Sequence, residues 1–274
     1  MKFFLAFFFA ATLYATVNEP LRLEIFSGYR NDRIHWHLQD PGEGGTLTYS
    51  ELNRDVEYWE NGLALKVIHR DLIFFLRGAY GAFGRGQLLQ KYPNTPGAPR
   101  FRSTTDGWTA DVVGYFGYAV NLTADRTYKV LLTPLIGYSG YFEQLKRASG
   151  PFKLVWNGFF FGGGFVVEPG GQVSFNVGYS YHLMHNRVRA TVRNTLTDQS
   201  IKTQSGGNSG QTGWAEIDWL CNPVWRLGIG GQIHYFSTRV VNASISQADR
   251  GDFSQKFKLR WTPVSVWAQI ARTF

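Results

Sequence analysis

From about residue 21 to the last residue, apolar side chains alternate with polar or small ones, in segments too long for ordinary soluble strands. The clearest segment runs Val173, Phe175, Val177, Tyr179, Tyr181 and Leu183, with Gln172, Ser174, Asn176, Gly178, Ser180 and His182 between them. Successive strand side chains point to opposite faces, so each segment has one apolar and one polar face. Heavily aromatic faces repeated in segment after segment suit hydrocarbon better than the covering sheet of a soluble sandwich. The pattern predicts an all-β fold, a transmembrane antiparallel up-and-down β-barrel of about ten strands. Strands are expected over roughly 21–38, 46–69, 71–85, 107–122, 127–145, 153–168, 171–190, 211–221, 225–240 and 253–274. Tight turns are expected at His69-Arg70-Asp71, Thr123 to Arg126, Glu168 to Gly171 and Asn222-Pro223, on one rim. Longer polar loops, 39–45, 86–106, 146–152, 191–210 and 241–252, are expected on the other.

Parity then sorts residues between wall and lumen. Leu72, Phe74, Leu76 and Tyr80 share a face, leaving Arg77 and Arg85 opposite; Val112, Phe116 and Tyr118 leave Asp111 opposite. Trp225, Leu227, Ile229, Ile233 and Tyr235 oppose Arg226 and His234. The last strand sets Phe257, Leu259 and Trp261 against Lys256, Lys258 and Arg260, but its apolar residues then take the other parity at Val264, Val266, Ala268, Ile270 and Phe274. A bulge at Pro263 would explain that change, and a similar shift is expected near Asn61. The lumen-lining candidates are Arg33, His35, His37, Glu51, Asp55, Glu57, Arg77, Arg85, Asp111, Glu216, Asp218, Arg226, His234, Lys256, Lys258 and Arg260. Opposite charges on different strands would brace a bore that is narrow at ten strands, a constriction more than an open channel.

Composition narrows the class. Mean hydropathy is −0.21 despite 44% hydrophobic residues, too polar for a helical membrane protein of this size. Lys2 followed by an apolar run from Phe3 to Leu13 reads as an export signal over residues 1–17, leaving 18–274 as the barrel. No other apolar run approaches the ~18 residues of a membrane helix. A single cysteine, Cys221, excludes a disulfide framework and a thiolate metal site. The net charge of +8 calls for a partner, and no basic helix or stacking platform offers itself to nucleic acid. Lys91, Arg100, Arg102, Lys146, Arg147, Arg187 and Arg189, at the outer loops, are candidates to meet lipopolysaccharide phosphates, with plain loop solubility as the alternative. Expected partners are outer-membrane lipid, lipopolysaccharide, and periplasmic chaperones and the barrel-assembly machinery during biogenesis.

Several short patches carry a resemblance. Ser27-Gly28, Ser50-Glu51-Leu52-Asn53, Gly78-Ala79-Tyr80-Gly81, Gly84-Arg85-Gly86 and the terminal Arg272-Thr273-Phe274, set on this strand layout, resemble the omptins, ten-stranded outer-membrane proteases whose barrels rise above the membrane. The resemblance implies an acidic pair in the loop after the third strand and an Asp-His pair near the top of the seventh, together activating a water. Here Gln87-Leu88-Leu89-Gln90-Lys91-Tyr92 supplies no carboxylate before Asp106, and Tyr181-His182-Leu183-Met184-His185-Asn186 has histidines without an adjacent aspartate. A general base needs its partners in place, so the omptin mechanism is not expected to carry over, and no catalytic residue is assigned.

Other constellations read as structural. His35 and His37 share a face but have no third ligand nearby. His234 and Ser237 resemble the pair that lipid A deacylases use, yet three residues apart on a strand they point oppositely. Gly162-Gly163-Gly164 lies inside an apolar strand and suits close packing better than phosphate. The sequence therefore predicts a bacterial outer-membrane barrel without protease activity and without a cofactor or metal, either a narrow pore or a structural surface protein. The alternatives are an omptin-type protease or another surface hydrolase with a rearranged site, and a soluble secreted β-sandwich.

Overall fold

A computed structural model describes residues 21–40, 47–91, 100–123, 128–147, 149–170, 172–193, 198–247 and 251–274. The expected export signal and the turn at 124–127 lie outside these residues. Twelve strands form one antiparallel sheet: β1 (Leu21–Gln39), β2 (Leu47–His69), β3 (Leu72–Lys91), β4 (Arg100–Tyr118), β5 (Val120–Asn121), β6 (Tyr128–Arg147), β7 (Gly150–Pro169), β8 (Val173–Arg193), β9 (Asp198–Leu220), β10 (Trp225–Ser237), β11 (Val241–Gln247) and β12 (Gly251–Thr273). β5 continues β4 along β6, and β11 continues β10 between β9 and β12. Pairing of β1 with β12 then closes a ring of ten staves. Closure leaves no free sheet edge, which is what a strand needs if its backbone is to meet hydrocarbon.

The staves run further than the alternation suggested. β9 begins at Asp198, inside the stretch expected as a loop over 191–210, and β3 and β4 reach Lys91 and Arg100. Ser, Thr, Gln and Gly made 198–210 read as loop, but this stretch pairs with β8 and β11 above the apolar band, where a strand needs no greasy outer face.

Along the half of the barrel that carries the tight turns, the outer surface is apolar: Ile136, Phe159, Ile229 and Trp59 are each about 60% exposed, at 62%, 66%, 61% and 59%. Tyr80 stacked on Trp108 and Tyr138 edge-on to Phe159 belong to this outer surface. Toward the loop rim the faces exchange character; β1, β8 and β12 do so in one parity, whereas β2, β3 and β9 change parity at register shifts. In β12, Val264, Val266 and Ile270 are exposed, and so is Arg260, whereas Phe257, Leu259, Trp261, Ser265, Trp267 and Gln269 are buried. Pairing with β1 is continuous from Arg22–Thr273 to Gln39–Lys256, so the bulge expected at Pro263 is absent. The irregularity in β2 lies between Arg54 and Glu57 instead of near Asn61, with Asp55 at φ 52°.

The upper bore is a hydrophobic core. Ile34, Trp36, Leu38, Phe152, Trp156, Phe236, Phe257, Leu259 and Trp261 are 0–2% exposed and form one cluster with Tyr58, Tyr141, Val188 and Ile201. Each such aromatic contributes roughly 1.5–3 kcal/mol by leaving water. Trp36 contacts Tyr49, Phe152 and Phe257, and Phe236 contacts Tyr141, Trp156 and Trp261.

Candidate functional site

The bore divides into three levels. At the top, Glu51 is a buried acceptor: it pairs with Arg147 and takes hydrogen bonds from Trp36 Nε1 (3.1 Å), Tyr49 Oη (2.6 Å) and Asn53 Nδ2 (3.1 Å). Arg147 also donates to the carbonyls of Gly150 and Thr191. A buried charge persists only when so surrounded.

At mid-height, Arg30 reaches Asp32 (2.7 Å), Asp111 (2.7 Å) and Glu60 (3.6 Å). Trp261 Nε1 donates to Asp32 at 3.0 Å, and Tyr58 Oη donates to Glu143 at 2.7 Å. This ionic layer ties β1, β2, β4, β6 and β12 together across the bore.

Below it lies a cavity of about 320 Å³. Its roof is a hydroxyl and imidazole chain in which Ser139 contacts His182 Nδ1 (3.2 Å), Thr212 contacts His182 Nε2 (2.9 Å) and Thr212 contacts His234 Nδ1 (2.8 Å). Its walls include Phe75, Tyr115, Phe160, Trp214 and Trp267. Glycine makes room for these rings: a Cβ on Gly178 would collide with Trp214, and one on Gly230 with Trp267. Near the mouth Arg22 binds Glu24 and Asp218, both at 2.8 Å, and Gln269 donates to Glu216 (2.7 Å) and Asp218 (2.9 Å).

Of the residues expected in the lumen, Glu51, Arg77, Asp111, Glu216, Asp218, Arg226 and His234 lie on its inner face. The others require correction. Arg33, His35 and His37 share the outward face of β1, since Asp32, Ile34, Trp36 and Leu38 are the buried ones. Lys256, Lys258 and Arg260 likewise sit opposite buried Phe257, Leu259 and Trp261. Asp55 is exposed, and Glu57 points outward to Arg85 at 2.6 Å. For the residues of β1 and β12 the reason is the solvent: outside the apolar band, the polar face of a strand turns to water and the apolar face packs inside. Asp55, Glu57 and Arg85 sit at the β2–β3 register shifts, which change the parity that faces out.

Of the residues expected at the outer surface, Lys91, Arg187 and Arg189 are exposed, and Lys146 is exposed beside Asp106. Arg147 is a further correction, buried on Glu51 instead of facing outward. Arg100 and Arg102 lie in β4, but their side chains are outside the described ones. His234 and Ser237 point to opposite faces, as their spacing implied: His234 is buried in the roof and Ser237 has the other parity. Sequence reasoning missed Arg22, Glu24, Arg30, Asp32, Glu60, Lys66, Glu143 and His182. The even positions of β1, set against Leu23, Ile25 and Tyr29, carried the signal for the first four.

The basic excess of the chain belongs to the outer wall, not to the bore. Lys153, Arg189 and Lys202 face one another across β7, β8 and β9. On the β12–β1 wall, His35 lies opposite Arg260 and His37 opposite Lys258. Partial burial, and then the charges of Arg260, Arg33 and Lys91, hold His35 below the usual imidazole value of 6.5. Partial burial also lowers His37, followed by His35, Lys258 and Arg260. The position expected after omptins to carry an acidic pair is the upper end of β3, where Leu88 and Gln90 are buried; the next carboxylate, Asp106, is spent on Lys146.

No protein-family profile and no curated sequence matches the chain. Among solved structures, the outer membrane protease OmpT from Escherichia coli superposes over 95% of this chain and 99% of its own, at TM-score 0.75 and 10% identity. The translocator domain of the autotransporter NalP from Neisseria meningitidis covers 97% of this chain and 92% of its own at TM-score 0.38 and 10% identity. The chain thus has the omptin type of fold, a ten-stranded barrel continued beyond its apolar band, without the carboxylates that the omptin resemblance called for at the upper end of β3.

Proposed function

We propose that this protein is a structural surface protein of a bacterial outer membrane, anchored by the apolar half of its barrel and neither a diffusion pore nor a protease. The observation that carries the reading is the apolar plug: Trp36, Trp156, Trp261, Phe152, Phe236 and Phe257 fill the upper bore without exposure, so a solute crossing it would have to displace a close-packed core. The apolar outer band with aromatic residues toward its edge supports membrane insertion. The outer wall above it, with Lys153, Arg187, Arg189 and Lys202 and no carboxylate among their described outward neighbours on β7 to β9, suits the phosphates of outer-leaflet lipopolysaccharide. The carrying experiment is planar-bilayer conductance of the refolded protein, with cleavage of a fluorogenic peptide library measured in parallel. Silence in both is expected; stepwise conductance would restore the pore, and saturable cleavage the protease.

The protease reading keeps one observation in its favour, the superposition on OmpT. Against it, His182 is enclosed by Ser139, Ser180 and Thr212 in the roof, and no carboxylate orients it among the described residues.

A further inference from the structure

The cavity beneath the plug is large enough for a ligand, with about 320 Å³ and a wall of aromatic rings. Its rim residues, Arg22, Ile68, Arg226 and Thr273, lie at the end of the barrel that carries the tight turns, so it opens there while the plug closes the other end. Of the carboxylates that line the cavity, Glu24 and Asp218 are engaged by Arg22 and Glu216 by Gln269, while Glu168 lines it beside the turn at 168–171. What the wall leaves uncommitted is largely donors. Lys66 makes no hydrogen bond or ion pair among the described residues. Arg77 gives Nη1 to Gln232 at 3.2 Å, while Nη2 has no partner and no carboxylate lies within ion-pair distance. Its guanidinium is instead held between Phe26 and Trp267, 4.1 and 4.2 Å from the ring centroids. Tyr115 and Trp214 add a hydroxyl and an indole N–H that no other described residue takes up.

The two cations are neighbours. Lys66 pairs with Phe75 and Arg77 with Ala64, so they are diagonal on adjacent strands, their Cα atoms roughly 7–8 Å apart, and both side chains line the cavity. Neither cation has a carboxylate within ion-pair distance, while Glu24 and Glu216 act on both from further away, so an oxyanion that reached both would make the closest contact of either. Phe75, Tyr115 and Trp267 around that point would hold a flat apolar body.

We propose that the lumen is a blind binding site, entered from the rim of tight turns, for a small aromatic carboxylate, with its carboxylate on Lys66 and Arg77 and its ring against the aromatic wall. This goes beyond the surface role proposed above and does not depend on the lipopolysaccharide contact. The chemistry is binding alone; no bond is made or broken.

The test uses 4-fluorobenzoate and fluorine NMR on the folded protein in zwitterionic micelles, with 4-fluorobenzylamine as the oppositely charged probe. Saturable broadening of the benzoate signal is expected, at least tenfold weaker in Lys66→Met and in Arg77→Gln and partly restored in Arg77→Lys. Heat-modifiable migration checks that each barrel is folded, and Lys66→Met keeps the test available if Arg77→Gln does not fold. Binding unchanged by both substitutions would mean partition into the micelle and overturn the proposal. Absence of saturable benzoate binding would overturn it too, as would a preference for benzylamine, which would assign the site to the lumenal carboxylates.

Discussion

The two halves of the barrel share most of their strands, and β1 and β12 run through both in unbroken register, yet the halves are built inside out with respect to each other. In the lower half of β12 the outward residues are Val264, Val266 and Ile270, and the inward ones Ser265, Trp267 and Gln269 border the lumen. In the upper half the outward residues are Lys256, Lys258 and Arg260, and the inward ones Phe257, Leu259 and Trp261 are core. Solvent decides the difference. Where hydrocarbon surrounds the wall, apolar side chains face it and the bore carries the polarity; where water surrounds the wall, the barrel folds as a soluble protein does, around an apolar centre.

The largest effect should come from removing the upper core. Trp156→Ala is expected to cost about 3–5 kcal/mol, read as a lowered urea midpoint in lipid vesicles. Trp59→Ala, an equally large residue on the lipid-facing wall, should cost far less, because lipid closes over the gap that a packed core retains. Equal losses would mean that the upper bore is not close-packed. Arg147→Met should cost a similar ~3–5 kcal/mol by leaving Glu51 buried without its cation, and Glu51→Gln in that background should recover part of the loss.

A charge placed on the outer wall sharpens the contrast at a middle scale. Ile229→Arg, in the apolar band, is expected to destabilise by roughly 2–4 kcal/mol, while Gln204→Arg on the upper wall should change stability little. The same urea titration measures both.

The sequence made one half legible and misread the other for the same reason. Alternation, turn chemistry and the strand count depend only on the local period, so the ten staves and the ring were readable. Which face is inside depends on the surrounding solvent, which the period does not encode. Reading Lys256, Lys258 and Arg260 as lumenal extended the rule of the apolar band into water, and a bulge at Pro263 was then needed to reconcile the two halves. His35 and His37 followed the same error, whereas Glu57 and Arg85 sit at the β2–β3 register shifts, which local alternation does not reveal. Arg147 was misplaced differently: a cation beside an expected loop looks solvated until Glu51, far away in sequence, is seen to meet it. The mouth network of Arg22, Glu216 and Asp218 joins β1 to β9, a contact no short-range pattern carries.

The smallest expected effects are titrations on the upper wall. His35 and His37 are held below 6.5 in the folded protein, so the unfolded chain takes up more protons as pH falls through that value, and stability is lost toward acid. The double substitution His35→Gln, His37→Gln should flatten that acid-side loss. Arg260→Gln should raise both imidazole values, as followed by proton NMR. An unchanged titration in Arg260→Gln would show that burial alone depresses them.

The inversion itself is tested most directly by spin labels placed singly at 257 to 270 along β12, in a Cys221→Ser background and in lipid vesicles, reading oxygen against aqueous nickel accessibility. The expected result keeps one parity throughout: labels at 264, 266, 268 and 270 contact lipid, labels at 258, 260 and 262 contact water, and those at 257, 259 and 261 are shielded from both. Lipid contact at 257, 259 and 261 would contradict the account, because it would mean that the strand changes face and the apolar plug does not exist.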